Sequence, residues 1–505
     1  MPFSPDTLRW PDHLAAIDMG SNSFRLEIGQ LSPGRYKRID YLKETVRLGA
    51  GLDGQGLLTE DAMQRGLACL RRFAQRLEGY APMQVRAVAT QTLREAQNRN
   101  AFLARAQTAL GYPIEVISGR EEARLIFAGV ARLQPSDEMR LVVDIGGRST
   151  EMILGQGRTP LRAESFQVGS VSLSMRYFGD GRFTENAFRA AQVAAGAELE
   201  EALAPFAAHH WREALGSSGT AGAVSQLLAA NHISDGVITP EGLRWCMDQC
   251  LRAGQVDRLK LPGLKDDRRA VIGGGLSILY TLATHFGIEA LQPARGALRQ
   301  GVIFDLDERL NAEAHDGARA HDVRDASVAE LQRRFEADVT HARRVASVAE
   351  ALYASVAPQA DAVLVRELAW AAALHEIGMM VSHHDHHRHS AYLLGHVDAA
   401  GFSQSQQRRL ADLVLAQRGG LRKMEAQLAQ EAFVWQALCL RLAIIKCHAR
   451  SDVDAQVLRL RRQGQQAQLS FPDSWADAHP RTMFLLNEEV TAWERSGVVR
   501  LQIKA

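Results

Sequence analysis

Two stretches decide the fold: "AAIDMGSNSFRLEIG" (15–29) and "RLVVDIGGRSTEMILG" (140–155). In the first, an apolar run ends at Asp18, passes through Gly20, Ser21, Asn22 and Ser23, and turns apolar again. That spacing predicts strand, tight turn, strand. Gly, Asn, Ser and Asp all favour bends, which accounts for the turn alone. They also suit a phosphate cradle, in which backbone N–H groups and hydroxyls face an anion. The second stretch repeats the pattern, with Asp144 followed by Gly146, Gly147, Arg148, Ser149 and Thr150. Two copies of one hairpin predict two similar α/β domains facing each other, and favour the cradle.

Outward from these hairpins the alternation continues. Strands are expected over 14–30, 35–48, 85–90 and "IEVI" (114–117), with helices over 60–79 and 98–110. Leu67, Leu70, Phe73, Ala74 and Leu77 share one face of the first helix. Beyond about 310 the texture changes. The polar run "EAHDGARAHDVRDAS" (313–327) reads as a linker, and 327–356, 361–381 and 403–417 read as helices. The closing strands expected near the end carry "AQLSF" and "VVRLQIKA". The expected division is 1–135, 136–310, 311–460 and 461–505.

At 505 residues the chain is too long for one core. Its 59 basic and 58 acidic residues nearly cancel, so anion binding must come from local sites, and a nucleic-acid partner is not expected. The first twenty residues lack a basic start and an apolar core, so no signal peptide is expected. Nor does any apolar run reach the ~18 residues of a membrane span. Five scattered cysteines fit buried free thiols in a reducing cytoplasm.

The chemistry concentrates in the loops. Asp18, Asp144 and Glu151 offer carboxylates suited to Mg²⁺, which contacts few protein ligands and keeps several waters. A third loop, "LGSSGTAGAV" (215–224), supplies Gly216, Ser217, Ser218, Gly219 and Thr220 ahead of a helix, whose N-terminus favours anions. "VIGGGLSIL" (271–279) is a fourth candidate. The guanidinium forks of Arg25 and Arg94 match phosphate oxygens. In "VISGREEARLIFAGV" (116–130), Ser118 and Glu121 fit a capping box, which does not prevent Glu121 from activating water. Glu122 is expected to point elsewhere.

The order of "AAIDMGSNSFRL", "ATQTLREA", "VISGREEARLIFAGV", "LVVDIGGRSTEMILG", "GSSGTAGAV" and "GALRQGVIFD" resembles the exopolyphosphatase/guanosine pentaphosphate phosphohydrolase family. The resemblance implies the duplicated actin-like, sugar-kinase-like and Hsp70-like ATPase fold over the first 310 residues. An all-α HD-like domain and a small C-terminal α+β domain would follow. It implies Glu121 as the base, Asp144 and Glu151 near a Mg²⁺-bound terminal phosphate, and a homodimer. The implied reaction removes orthophosphate from the end of inorganic polyphosphate; the alternative substrate is guanosine pentaphosphate. A kinase or chaperone-like ATPase shares the fold.

Three departures and extensions follow from the resemblance. Arg148 stands where the second loop usually has a small residue, so its side chain is expected either in solvent or in the cleft. In the helical half, His341 and His375 match HD ligands, but Glu376 replaces the Asp and "LRLAIIKCHARSD" (440–452) offers no clear last ligand. That argues against a second hydrolase site. The cluster His383, His384, Asp385, His386, His387 and His389 reads as a polar surface segment. A polymer longer than the cleft would need a channel through 311–505, with Arg343, Arg344, His383 and Arg388 as contacts.

Overall fold

Strand β1 (His13–Met19) buries every residue after His13, because it lies between neighbours on both edges and helices on both faces. It pairs antiparallel with β2 (Phe24–Ser32), which pairs antiparallel with β3 (Arg35–Glu44). On its other edge β4 (Val85–Ala89) and β5 (Ile114–Val116) run parallel, giving the order β3-β2-β1-β4-β5. The second half repeats this arrangement. Strands β6 (Met139–Ile145), β7 (Thr150–Gln156), β8 (Thr159–Phe166), β9 (Glu213–Ser217) and β10 (Leu291–Pro293) lie in the order β8-β7-β6-β9-β10, with the same directions. The molecule is described by a computed structural model covering residues 12–32, 35–314, 322–451 and 454–504.

The duplication extends to register. Asp18 lies opposite Arg25 in the first hairpin, and Asp144 lies opposite Glu151 in the second. Two helices, Gly119–Leu133 and Leu298–Ala314, join the halves. Their core takes Leu14, Ala16 and Val88 from the first sheet and Val142, Ile153 and Leu215 from the second. The helices approach closely because Gly129 faces the Ala297 carbonyl and Gly301 the Leu125 carbonyl, where no Cβ fits. Residues up to 320 therefore form one unit holding both α/β halves.

Residues 321–505 form a second unit. The single helix expected over 327–356 is two, Val323–Arg334 and Val339–Val356. The chain breaks between them at Glu336, whose φ is +50°, and Asp338 caps the second by accepting from the His341 N–H at 2.9 Å. At the end, β11 (Arg459–Gln463), β12 (Gln466–Ser470) and β13 (Arg500–Lys504) make a small sheet. Leu460, Leu469, Leu486, Trp493 and Leu501 share one core with Val345, Leu352, Trp435 and Leu442. The break expected at 461 is therefore absent, because one hydrophobic core runs through it. Residues 315–321 of the expected linker and the first eleven residues lie outside the described residues. All five cysteines are buried free thiols. Among the described residues, no helix is long and apolar enough to cross a membrane.

Candidate active site

Both hairpin turns sit at the same end of their sheets and face each other. A Cβ on Gly147 would lie 3.2 Å from the Ser21 Cβ and 3.6 Å from the Asn22 nitrogen, so the second loop touches the first. The first loop is braced from behind: the Ser21 carbonyl accepts from the Gly49 N–H and the Asn22 carbonyl from the Arg47 N–H, both at 2.8 Å. Thr92 donates its hydroxyl to Ser21 Oγ at 2.8 Å. The second loop is closed by Gly146 N–H to the Ser149 carbonyl, 2.9 Å. The helix Ser170–Tyr177 caps it, donating backbone N–H groups to the Gly146 and Gly147 carbonyls. Thr150 turns its hydroxyl to the Val168 carbonyl, 2.6 Å, and so is structural.

Around these loops, three buried donors find no partner among the described residues: Asn22 Nδ2, Ser23 Oγ and Arg94 Nη2. Buried polar atoms in proteins are almost always satisfied, so these donors are available to a ligand. The third loop behaves differently. Ser218, at φ +69°, and Thr220 donate their hydroxyls to the Ile145 carbonyl, at 3.0 and 2.9 Å. Ser217 donates to the Gly296 carbonyl, 3.1 Å. These hydroxyls buttress the end of β6 instead of presenting free donors. A Cβ on Gly219 would meet only the Arg268 guanidinium, the movable end of a long side chain, so close packing does not dictate this glycine. The glycine run at 273–275 is no loop; it opens the helix Ile272–His285 and lets Gly274 pack against the Ser170 carbonyl.

The helix Gly119–Leu133 settles the two adjacent glutamates. Ser118 Oγ accepts from the Glu121 N–H at 3.2 Å, as the capping pattern requires. The Glu121 side chain, however, turns away from the loops. Arg124 grips it through two bonds of 2.7 and 2.8 Å, and Arg86 and Asp305 complete a buried ion network. Glu122 takes the position expected for Glu121. It accepts from Arg94 Nη1 at 2.8 Å. Burial, opposed by Arg94 and reinforced by the negative charges of Asp144 and Asp18, pushes its carboxyl up to about 7. Residue spacing alone could not separate the two, since either glutamate follows the cap; the charge partners of the neighbouring strands separate them.

Glu151, deep in the same group, is also pushed well up, by burial and then by Glu122 and Asp144. It accepts from the Ser165 hydroxyl at 2.8 Å. Burial raises Asp144 too. Asp18 is held by Arg25 at 3.1 Å and Arg299 at 3.7 Å. Asp18, Asp144 and Glu151 do not converge as three ligands of one ion: among the described residues the only such grouping lies in the second unit. The donor set still fits Mg²⁺, because Asp144 and Glu151 are buried carboxylates whose charges a cation would relieve, and Mg²⁺ contacts carboxylates partly through water.

The family models decide the affiliation. One for the Ppx/GppA phosphatase family matches residues 28–310, and one for its domain III matches 323–490. The chain belongs to the Ppx/GppA phosphatase family. It is similar to an exopolyphosphatase from Cytophaga hutchinsonii, with 26% identity and a TM-score of 0.54 over 58% of this chain and 98% of that one. It is likewise similar to the Aquifex aeolicus Ppx/GppA family member, with 26% identity and a TM-score of 0.50 over 60% and 99%. Both structures correspond to about three fifths of this Ppx/GppA chain, and the domain III match accounts for much of the remainder.

Arg148 turns inward, across to the opposite half, where it meets a carboxylate. Its guanidinium pairs with Glu95 at 2.7 Å and donates to the Gly49 carbonyl at 3.3 Å. It thus ties the second loop to the opposite half. Arg148→Ala and Glu95→Ala are expected to couple in a double-mutant cycle of thermal unfolding by roughly 0.5–1 kcal/mol, a value discounted for partial exposure. Additive effects would show that the tie is not formed in solution.

The four channel candidates are not brought together. Arg343 is exposed, Arg344 donates to the Arg450 carbonyl at 3.2 Å, and Arg388 is exposed beside Asp385. Of the four, only His383 lines the cleft of the second unit; Arg418, Arg422 and Arg450, which the sequence reading missed, line it instead. Nor is the histidine cluster wholly superficial, since His386 and His387 are buried. Ser390 pins the segment inward by donating to the His375 carbonyl at 2.9 Å.

Proposed function

We propose that this Ppx/GppA phosphatase is an exopolyphosphatase that hydrolyses the terminal phosphoanhydride bond of inorganic polyphosphate, with Glu122 as the base that activates water. The observation that carries the reading is the placing of Glu122 among Asp18, Asp144, Arg94 and Glu151, beside unpaired donors on Asn22, Ser23 and Arg94. The loops and unpaired donors hold the terminal phosphates; Glu122 takes a proton from water, and its raised pKa suits that task near neutrality. Mg²⁺ would be held by Asp144, Glu151 and Asp18, partly through water, and would supply neutralisation of phosphate charge. Phosphoryl transfer needs positioning and charge stabilisation more than covalent help. The matched topology of the two sheets around paired loops supports the actin-like form of the fold. Guanosine pentaphosphate carries the same terminal anhydride and is the alternative substrate. A cytoplasmic homodimer is part of the same reading.

The deciding assay compares release of orthophosphate from long polyphosphate, short polyphosphate, guanosine pentaphosphate and ATP. Faster turnover of guanosine pentaphosphate than of either polyphosphate would reverse the assignment. On polyphosphate, kcat/KM is expected to rise with pH and level off above about 7. Stability moves the other way. A carboxyl whose folded pKa is raised favours the folded state fully only below the ordinary carboxylate range, and that contribution is lost as pH rises through about 7. Added Mg²⁺ is therefore expected to raise Tm more near pH ~8 than near pH ~5.5, because only the ionised cluster repels itself and gains from a cation. An equal rise at both would remove the cluster from the Mg²⁺ site.

A further inference from the structure

Far along the chain from the phosphate loops, the second unit gathers two imidazoles and a carboxylate. His341, His375 and Glu376 each turn one ligand atom inward, all within 4.8 Å of one another. His341 Nε2 and His375 Nε2 lie 3.8 and 3.9 Å from the same Glu376 oxygen. His375 Nδ1 donates to the Ala372 carbonyl at 2.7 Å, which leaves the lone pair on Nε2. That nitrogen is buried and has no hydrogen-bond partner among the described residues, in a residue 1% exposed. A buried acceptor held in one tautomer and given no donor is an unmet ligand. The bond from its other nitrogen to a carbonyl is the support that metal-bound histidines ordinarily receive.

We propose that the second unit binds one first-row divalent transition-metal ion through His341, His375 and Glu376. Imidazole with carboxylate suits Zn²⁺, Co²⁺, Fe²⁺ or Mn²⁺ better than Mg²⁺. Bonds of ~2.0–2.1 Å in a tetrahedron place ligand atoms about 3.4 Å apart. The present separations close to that value by small side-chain rotations. Arg450 donates to Glu376 at 2.7 Å and to Asp338 at 3.0 Å, which holds the carboxylate in place. Three protein ligands leave further coordination positions toward a cleft of about 1430 Å³ lined also by His383, His386, Arg418 and Arg422. The glutamate in place of the expected aspartate thus keeps a ligand, one methylene longer. The inference is independent of the hydrolytic site, and its test reads metal alone.

The full chain, stripped with chelator, is titrated with Co²⁺ and followed by visible absorption and by paramagnetically shifted imidazole N–H resonances. The expected result is one tightly bound equivalent with shifted N–H signals, a signature that the carboxylates of the phosphate loops cannot produce. Glu376→Gln and His341→Gln are expected to weaken this binding at least about tenfold. Asp144→Asn should leave the signals in place. Should His341→Gln fold poorly, Glu376→Gln carries the test, because its side chain is at the cleft wall. Absence of shifted N–H signals in the unaltered protein would overturn the proposal and leave Arg450 as the cation of Glu376. Signals that survive Glu376→Gln at unchanged affinity would overturn it too, and place the ion on the exposed His383 and His384.

Discussion

Glu122→Gln is expected to lower kcat on polyphosphate by at least about a hundredfold, the usual worth of a positioned general base. Glutamine keeps the size of the side chain and still accepts from Arg94, which bonds Glu122 at 2.8 Å, so the loops should retain their shape. What is lost is only the capacity to take a proton. KM should therefore change far less than kcat, the pattern of an interaction made in the transition state. Glu121→Gln should do the reverse. Its carboxylate neutralises Arg124 within a buried network, so removing that charge is expected to cost roughly 1–3 kcal/mol of stability, with Asp305 still pairing the arginines. Turnover measured well below the lowered Tm should stay within a few-fold of the original. An inactive Glu121→Gln that melts normally, beside an active Glu122→Gln, would return the base to Glu121.

The second large effect lies at Glu489. Its carboxylate binds Arg441 through Nε and, at 2.8 Å, through Nη2, and accepts from the Trp493 indole at 2.6 Å. Arg441 also donates to the Ala416 carbonyl at 2.6 Å. Both charged residues are buried, so Glu489→Ala leaves a guanidinium uncompensated inside the unit and is expected to cost about 3–5 kcal/mol. The pair ties the helix Pro480–Ser496 to the helix Glu431–Cys447. Urea unfolding followed by tryptophan fluorescence should register the loss, since Trp493 and Trp435 sit in that core. Arg441→Met combined with Glu489→Leu should recover much of it, because an apolar pair needs no counter-charge. A Glu489→Ala midpoint close to that of the unaltered protein would mean that the closing helix is held by packing alone.

The α/β half was readable because its signals are local. Each hairpin announces itself by an apolar run, an aspartate and a small-residue turn, and the repeat of that grammar at Asp144 made the duplication visible. Roles that depend on contacts across the chain were not readable. Glu121 and Glu122 are neighbours on one helix, and only the location of Arg124 and Asp305 on one side, against Arg94 and Asp144 on the other, distinguishes them. Arg148 finds its partner on the opposite half at Glu95. The glycines at 273–275 carry the composition of a phosphate loop, yet serve helix packing. The end of the chain looked separable because its strands differ in period from the helices before them, whereas the core they share with Leu352 and Leu442 leaves no trace in local pattern.

The matching registers of the two hairpins place Arg25 and Glu151 at equivalent positions, each opposite its aspartate. A perfectly doubled grip would be indifferent to which way round its cargo lay. Inorganic polyphosphate has that same indifference, since its two ends are chemically identical. Among the differences between the two turns, the one at Arg25 and Glu151 puts a basic side chain at that position in one half and an acidic one in the other. If the proposed substrate is right, the way round such a polymer is held would be set by the protein alone, through differences between two copies of one turn.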